Sequence, residues 1–290
     1  MNPFLEIKNV SYSYMKNTAQ QVNAVNNVSL GIDRGEMVGI IGHTGSGKST
    51  LVSLFNGLLK PSLGTVYVDG KDIWENKETL RESRFNVGLC FQYPEYQLFE
   101  ETVRKDIAFG PKNMKLDDAE IERRVLRAAE LAGVKPKHLD VSPFDISGGE
   151  KRRAAIAGVM AMEPDMLVLD EPAAGLDPRG RSDLIEMIKQ YRERTGSAVV
   201  LVSHSMEDIA RATERVIVIN NGEIALDGSV DYVFAHEEEL KSMGLNIPEV
   251  TKVFHRLKEL GFDVPPDVYS VDRAVDILTS LAERRKSDGK

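Results

Sequence analysis

Four groups of residues in this chain carry chemistry, and each comes just after an apolar run. Gly42-His43-Thr44-Gly45-Ser46-Gly47-Lys48-Ser49-Thr50 matches the phosphate-binding pattern of a glycine, four residues, then Gly-Lys-Ser/Thr. Its glycines allow close approach of phosphate oxygens. The free N–H groups of the loop and of a following helix converge on an anion. Lys48 supplies a point charge for β- and γ-phosphates, and Ser49 a hydroxyl for Mg²⁺, a hard ion that takes oxygen ligands. Asp170-Glu171 closes the run Met166-Leu167-Val168-Leu169. Two carboxylates there divide the labour: Asp170 holds Mg²⁺ through water, and Glu171 takes a proton from an attacking water. Gln92 brings an amide with both an acceptor for the ion and a donor for water. His204 follows another apolar strand and can orient water or touch a γ-phosphate.

These groups need a scaffold that delivers them to one edge. Residues 37–41, 86–91, 166–170 and 198–202 read as buried parallel strands. In parallel α/β sheets ligands sit beyond the carboxyl ends of strands, so Gln92, Asp170, Glu171 and His204 fall beside the phosphate loop. Residues 5–10 and 28–32 read as strands of an N-terminal antiparallel part, and 65–68 as a further strand. Residues 216–220 and 223–227 form a hairpin around Asn221-Gly222. Between residues 93 and 160 the pattern turns helical: 102–109, 117–131 with apolar spacing i, i+4, i+7/8, i+11, and 151–162.

Ser147-Gly148-Gly149-Glu150 opens the last of these helices. Two readings stand side by side: a capping box, in which Ser147 and Glu150 satisfy each other's open N–H groups, or a second anion site. Tyr12 and Tyr14 end the first strand, where either packs on the sheet or stacks on an adenine face. Beyond residue 235 strands give way to three helices, 237–243, 247–260 and 271–286, with Val271, Val275, Leu278 and Leu281/Ala282 as one stripe. They read either as a packed tail or as an interaction module. Residues 287–290 are expected to be disordered.

Over 290 residues the net charge is −8, with 28% charged and 42% hydrophobic residues. That argues against nucleic acid as main partner and against simple attraction to acidic lipid. There is no bilayer-length apolar run and no charged-then-apolar leader, so a soluble, cytoplasmic chain is expected. Cys90, the sole cysteine, lies in an apolar strand and reads as a buried thiol.

The order of these motifs along residues 1–227 resembles the ATP-binding-cassette ATPases. Residues 42–50 look like their Walker A loop and Gln92 like the Q-loop. Ser147-Gly148-Gly149 looks like the signature, Asp170-Glu171 like Walker B, Gly175-Leu176-Asp177 like the D-loop and His204 like the switch histidine. The resemblance implies a P-loop NTPase core with a parallel sheet, and an ATPase using ATP and Mg²⁺. It gives Tyr14 the adenine-stacking place. It also implies a second cassette subunit, the signature of one chain closing on the ATP of the other. Glu150 stands where the family usually has glutamine; near a partner's γ-phosphate it repels unless it folds back as a cap.

A finer resemblance is to ATPase subunits of energy-coupling-factor importers, the cobalt, nickel and vitamin uptake type. It rests on Phe91-Gln92-Tyr93-Pro94-Glu95-Tyr96-Gln97-Leu98-Phe99, on Lys151-Arg152-Arg153 and on the C-terminal appendage. In that family residues after the glutamine contact an integral membrane partner, which works with a substrate-binding membrane protein, and the appendage holds the dimer together. The resemblance thus implies a nucleotide-binding domain over 1–235, an appendage over 236–290 and a peripheral position on the cytoplasmic face of the membrane. Other readings are the ATPase of a different cassette transporter, a soluble cassette ATPase and a P-loop kinase. The soluble type carries a long coiled-coil insert or two cassettes per chain, absent here; a kinase has no place for the signature and the switch histidine.

Overall fold

The computed structural model describes residues 2–288. The first half of the chain forms β1 (Leu5–Tyr14), β2 (Val22–Ile32), β3 (Met37–Ile41), α1 (Lys48–Phe55), β4 (Leu63–Val68), β5 (Lys71–Asp72), α2 (Lys77–Asn86), β6 (Val87–Cys90), α3 (Val103–Asn113) and α4 (Asp118–Leu131). Then come α5 (Gly148–Met160), β7 (Met166–Asp170), α6 (Pro178–Thr195), β8 (Ala198–Val202), α7 (Met206–Ala212), β9 (Arg215–Asn220), β10 (Glu223–Ser229) and α8 (Val230–Ala235). The chain ends in α9 (Glu237–Ser242), α10 (Glu249–Glu259) and α11 (Val271–Asp288).

The strands make two sheets, ordered β2-β1-β4-β5 and β10-β9-β3-β8-β7-β6. The first is antiparallel. In the second, β9, β3, β8, β7 and β6 run parallel, and β10 adds an antiparallel edge. Strands β3, β7 and β8 are buried at every position because both faces are covered. Alternate residues divide between two cores. Val38, Ile40, Val168 and Val200 pack with α1 and the antiparallel sheet. Met37, Ile41, Leu167, Leu169, Val199 and Leu201 pack with α3 to α6.

The register places the functional edge. Ile40 and Asp170 both pair with Val202, and Cys90 pairs with Leu169. The four loops that follow these strands therefore leave the sheet at one level. The Asn221-Gly222 hairpin turn has both residues at positive φ, 50° and 81°, as a type I′ turn requires.

Several elements differ from the sequence pattern. β1 and β2 are longer than expected, because their outer halves lie half-exposed at the sheet edge and carry polar residues that mask the alternation. Helix α2 has almost no apolar content and one buried residue; it forms on a capping box between Asn76 and Thr79. Helix α5 begins at Gly148 rather than 151, its cap overriding two glycines. Helix α10 begins after Pro248, which sits at its N-cap. Ser287 and Asp288 continue α11 instead of fraying; the rest of the expected disordered end, 289–290, lies outside the described residues. Cys90 is buried as expected, and burial pushes its thiol up to about 12.

Leu240, Leu245 and Ile247 pack into the main core. From α10 onward a separate small core forms on Phe254, Val264, Val268 and Ala274, with Ile277 and Leu281 against it. The inward stripe of α11 is thus 274, 277 and 281. Val271, Val275 and Leu278, expected to form that stripe, face outward.

Candidate active site

The phosphate loop joins β3 to α1 in backbone conformations that side chains resist. Gly42, Gly45 and Gly47 have φ of 159°, 81° and 108°. A Cβ on Gly47 would collide with the Ala24 carbonyl, and one on Gly42 with the Ile219 carbonyl. The loop is therefore clasped between β2 and the β9–β10 hairpin. Lys48, 6% exposed, donates from Nζ to Gly42 O at 2.7 Å and His43 O at 2.9 Å. Burial lowers its pKa, against the pull of Glu171 and Asp170. Thr44 and Gly45 form the exposed tip, Ser46 is buried, and His43 Nδ1 lies 2.8 Å from Thr44 O. Tyr14 reaches over the start of α1: its hydroxyl lies 3.1 Å from Thr50 Oγ1, and its ring is edge-on to Tyr12 at 5.0 Å. It is exposed.

Asp170, the last residue of β7, is 4% exposed. Burial raises its pKa, opposed by a hydrogen bond from Ser49 and the Lys48 charge. Its Oδ1 is buried without a hydrogen-bond partner. An exposed hydroxyl of Ser49 and a buried carboxylate oxygen left over, with Gln92 on the loop after the neighbouring strand β6, offer oxygen donors, which fit Mg²⁺. Among the described residues no cluster of three His, Cys, Asp or Glu side chains could hold a metal alone. The remaining ligands of such an ion would be phosphate oxygens and water.

Glu171 turns the chain at φ 51°, a strained value for a side chain of this size. Its N–H is held by Val202 O at 2.9 Å, the last rung between β7 and β8. Burial raises the Glu171 pKa to about 7; the Asp170 charge adds to this, while the His204 backbone and Lys48 oppose it. His204 Nε2 stands 3.1 Å from Glu171 Oε1, without the alignment of a hydrogen bond. Burial and then the Lys48 charge lower the His204 pKa, so the ring is neutral at physiological pH. A carboxyl titrating near neutrality beside a neutral imidazole suits proton transfer from water.

Residues 147–150 form a separate group. Gly148 and Gly149 are exposed, and a Cβ on either would meet nothing within 4 Å. Glu150 folds back: its Oε2 accepts from Ser147 N at 3.1 Å and from Ser147 Oγ at 2.8 Å. Lys135 Nζ at 3.1 Å and His138 Nδ1 at 3.3 Å flank its other oxygen. The Lys135 hydrogen bond first, then those of Ser147, take its pKa down to about 2. The carboxylate thus serves as the cap, with a cation beside it. The cap reading of residues 147–150 holds in this structure, and it leaves the glycine face open.

Two contacts could not be read from the sequence. Lys135 and His138 meet Glu150 from a short turn with no motif. Arg152 and Glu95, 57 positions apart, form a bidentate pair at 2.6 and 3.0 Å behind the site. Of the residues after Gln92, Tyr93, Tyr96 and Phe99 are exposed, Tyr96 at 83%, while Pro94 and Leu98 turn inward.

A family model described as ABC transporter matches residues 25–174. The chain belongs to this family of ATP-binding cassettes. Its similarity extends over nearly the full length to proteins named energy-coupling factor transporter ATP-binding protein EcfA2. That of Caldanaerobacter subterraneus subsp. tengcongensis is 48% identical over 270 residues, 93% of this chain and 94% of the relative. That of Symbiobacterium thermophilum is 49% identical over 277 residues, 96% of each. Among solved structures, cbiO1 from Clostridium perfringens, described as part of the ABC transporter complex cbiONQ, superposes with a TM-score of 0.75. It is 35% identical and covers 90% of this chain and 98% of its own. The dimeric cassette MJ0796 bound to ADP and Pi gives a TM-score of 0.69 at 29% identity, over 78% of this chain and 98% of its own. The relatives favour the importer-ATPase reading over the soluble-cassette and kinase readings. No helix among the described residues is long and apolar enough to cross a membrane.

Proposed function

We propose that this chain is the ATP-binding and ATP-hydrolysing subunit of an energy-coupling-factor type importer of vitamins or transition-metal ions, lying on the cytoplasmic face of the membrane. The observation that carries the reading is the shared edge: Lys48, Asp170, Glu171 and His204 are mutually coupled there, with Gln92 one loop away. Residues 42–50 hold the phosphates, with Lys48 on the β- and γ-phosphates, and Tyr14 stacks on the adenine. Ser49, Asp170 and Gln92 would hold Mg²⁺. Bound there, the ion supplies positive charge to the phosphate oxygens. Glu171 takes the proton of the attacking water, and His204 positions the γ-phosphate.

The open face of Ser147, Gly148 and Gly149 contributes to the ATP of a second cassette, related head to tail. Shifting such a pair from mostly open to mostly closed needs ~5.5 kcal/mol of differential binding. Charge-assisted hydrogen bonds give ~1.5–3 kcal/mol each, so two nucleotides with several such bonds suffice. Closure draws the helices of residues 93–160 inward and moves the membrane partner through the exposed rings of Tyr93, Tyr96 and Phe99. In the appendage, 236–290, the outward apolar stripe of α11 faces the same second subunit. The test is Lys48→Ala with labelled ATP: nucleotide affinity is expected to fall at least tenfold, and wild-type affinity would refute the phosphate assignment.

A further inference from the structure

Arg152 is the most deeply buried arginine of the active half, 5% exposed, and lies five residues after Ser147 on α5. Its guanidinium joins two segments. On one side Nε and Nη2 grip Glu95 Oε2 and Oε1 at 3.0 and 2.6 Å. On the other, Nη1 donates to Pro172 O at 3.1 Å and Ala174 O at 2.7 Å. The turn 172–174 begins directly after Glu171, and Ala174 N closes back on Glu171 O at 3.1 Å. Glu95 belongs to the short turn Pro94–Gln97, which follows Tyr93 at φ 56° and carries the exposed Tyr96. The guanidinium carbon lies 5.9 Å from the Tyr93 ring centroid.

A planar fork with fixed donors transmits displacement because it loses bonds rather than bends. Glu95 cannot shift without rotating the guanidinium, and the guanidinium cannot rotate without releasing a carbonyl of the 172–174 turn. We propose that Glu95 and Arg152 are positioning residues for hydrolysis: the pair fixes the turn that aims Glu171 and carries movement of residues 93–97 to it. The inference rests on Glu171 acting as the base. The pair also fits the charges: burial pushes the Glu95 carboxyl up, and the Arg152 hydrogen bonds and charge more than offset this. A carboxylate so anchored is the fixed end of the linkage, while Tyr96 and Phe99 form its outer surface.

The test is Glu95→Gln, which keeps the shape of the side chain and removes its charge. It is made in the full chain within its transporter complex, with kcat, KM for ATP, the pH dependence of kcat/KM and thermal stability measured together. The expected result is a kcat about tenfold lower, KM for ATP within twofold of wild type, and a displaced acid limb of the pH profile. Arg152→Lys should act in the same direction. If that variant does not fold, Glu95→Gln decides, since its site is partly open to solvent. An unchanged kcat with only a lower melting temperature overturns the proposal, as does KM rising in step with any loss of kcat. Glu171→Gln is measured beside it. If Glu171→Gln turns over normally, the base assignment itself fails. If it is inactive while Glu95→Gln is unaffected, only the linkage fails.

Discussion

The two glycine-rich helix starts of this protein are built in opposite ways. The start of α1 is held on two sides: the Ala24 and Ile219 carbonyls press on Gly47 and Gly42, and Ser46 and Lys48 are buried, while Thr44 and Gly45 form an exposed tip. The start of α5 stands free: Gly148 and Gly149 border open space, and the hydrogen bonds of Ser147 go to Glu150 and Lys151 of its own helix. The first is a complete cradle within one chain. The second has no wall of its own, and in the proposed function its phosphate comes with another subunit.

The largest expected effect tests the chemistry on the complete side. Glu171→Gln should keep ATP binding and slow hydrolysis ~10²–10⁴-fold, measured as single-turnover phosphate release. Next come paired glycine changes. Gly47→Ala forces a side chain into φ 108° and against Ala24, and should cost ~2–4 kcal/mol of stability or abolish nucleotide binding. Gly148→Ala should leave melting and ATP binding by the single chain near wild type and lower only the turnover of the pair. Equal damage from both would erase the contrast.

A third effect is a stability difference with a definite sign. The folded-state pKa of Glu171, about 7, lies above its ordinary value because of burial. The native chain therefore holds that proton more tightly than the unfolded chain does. As pH rises from roughly 4.5 to 7 the unfolded chain gains by ionising while the native chain keeps the carboxyl protonated, and stability falls. Glu171→Gln removes this cost. Denaturant melts should show it more stable than wild type by up to ~3 kcal/mol at pH 8, with the gap closing toward pH 4.5. The smallest effect belongs to the open side. Glu150→Gln loses an exposed pair with Lys135 and loosens the Ser147 hydroxyl, so turnover should change by no more than about fivefold.

The complete side was legible in the sequence because its elements are local. Residues 37–55 carry strand, glycine loop and helix in one uninterrupted stretch, and Asp170-Glu171 ends a run whose burial is written in its composition. The level at which Gln92 and His204 emerge followed from parallel pairing alone. What escaped was non-local or polar. Arg152 and Glu95 are far apart and neither belongs to a periodic pattern. Lys135 looks like any surface lysine until the fold brings it to Glu150. Helix α2 rests on the Asn76 cap rather than on an apolar face, so periodicity could not reveal it. On α11 the two apolar rows lie on neighbouring faces, about a quarter-turn apart, and hydrophobicity alone does not say which one the body of the chain covers.

The most direct test of a cradle completed by a second subunit is sedimentation velocity of the Glu171→Gln chain, alone and with the second cassette of its transporter. ATP with Mg²⁺ should convert it to a dimer that binds one nucleotide per chain, and Ser147→Arg should prevent the conversion while leaving ATP binding intact. Stoichiometric ATP binding with no association in either mixture would contradict the composite site.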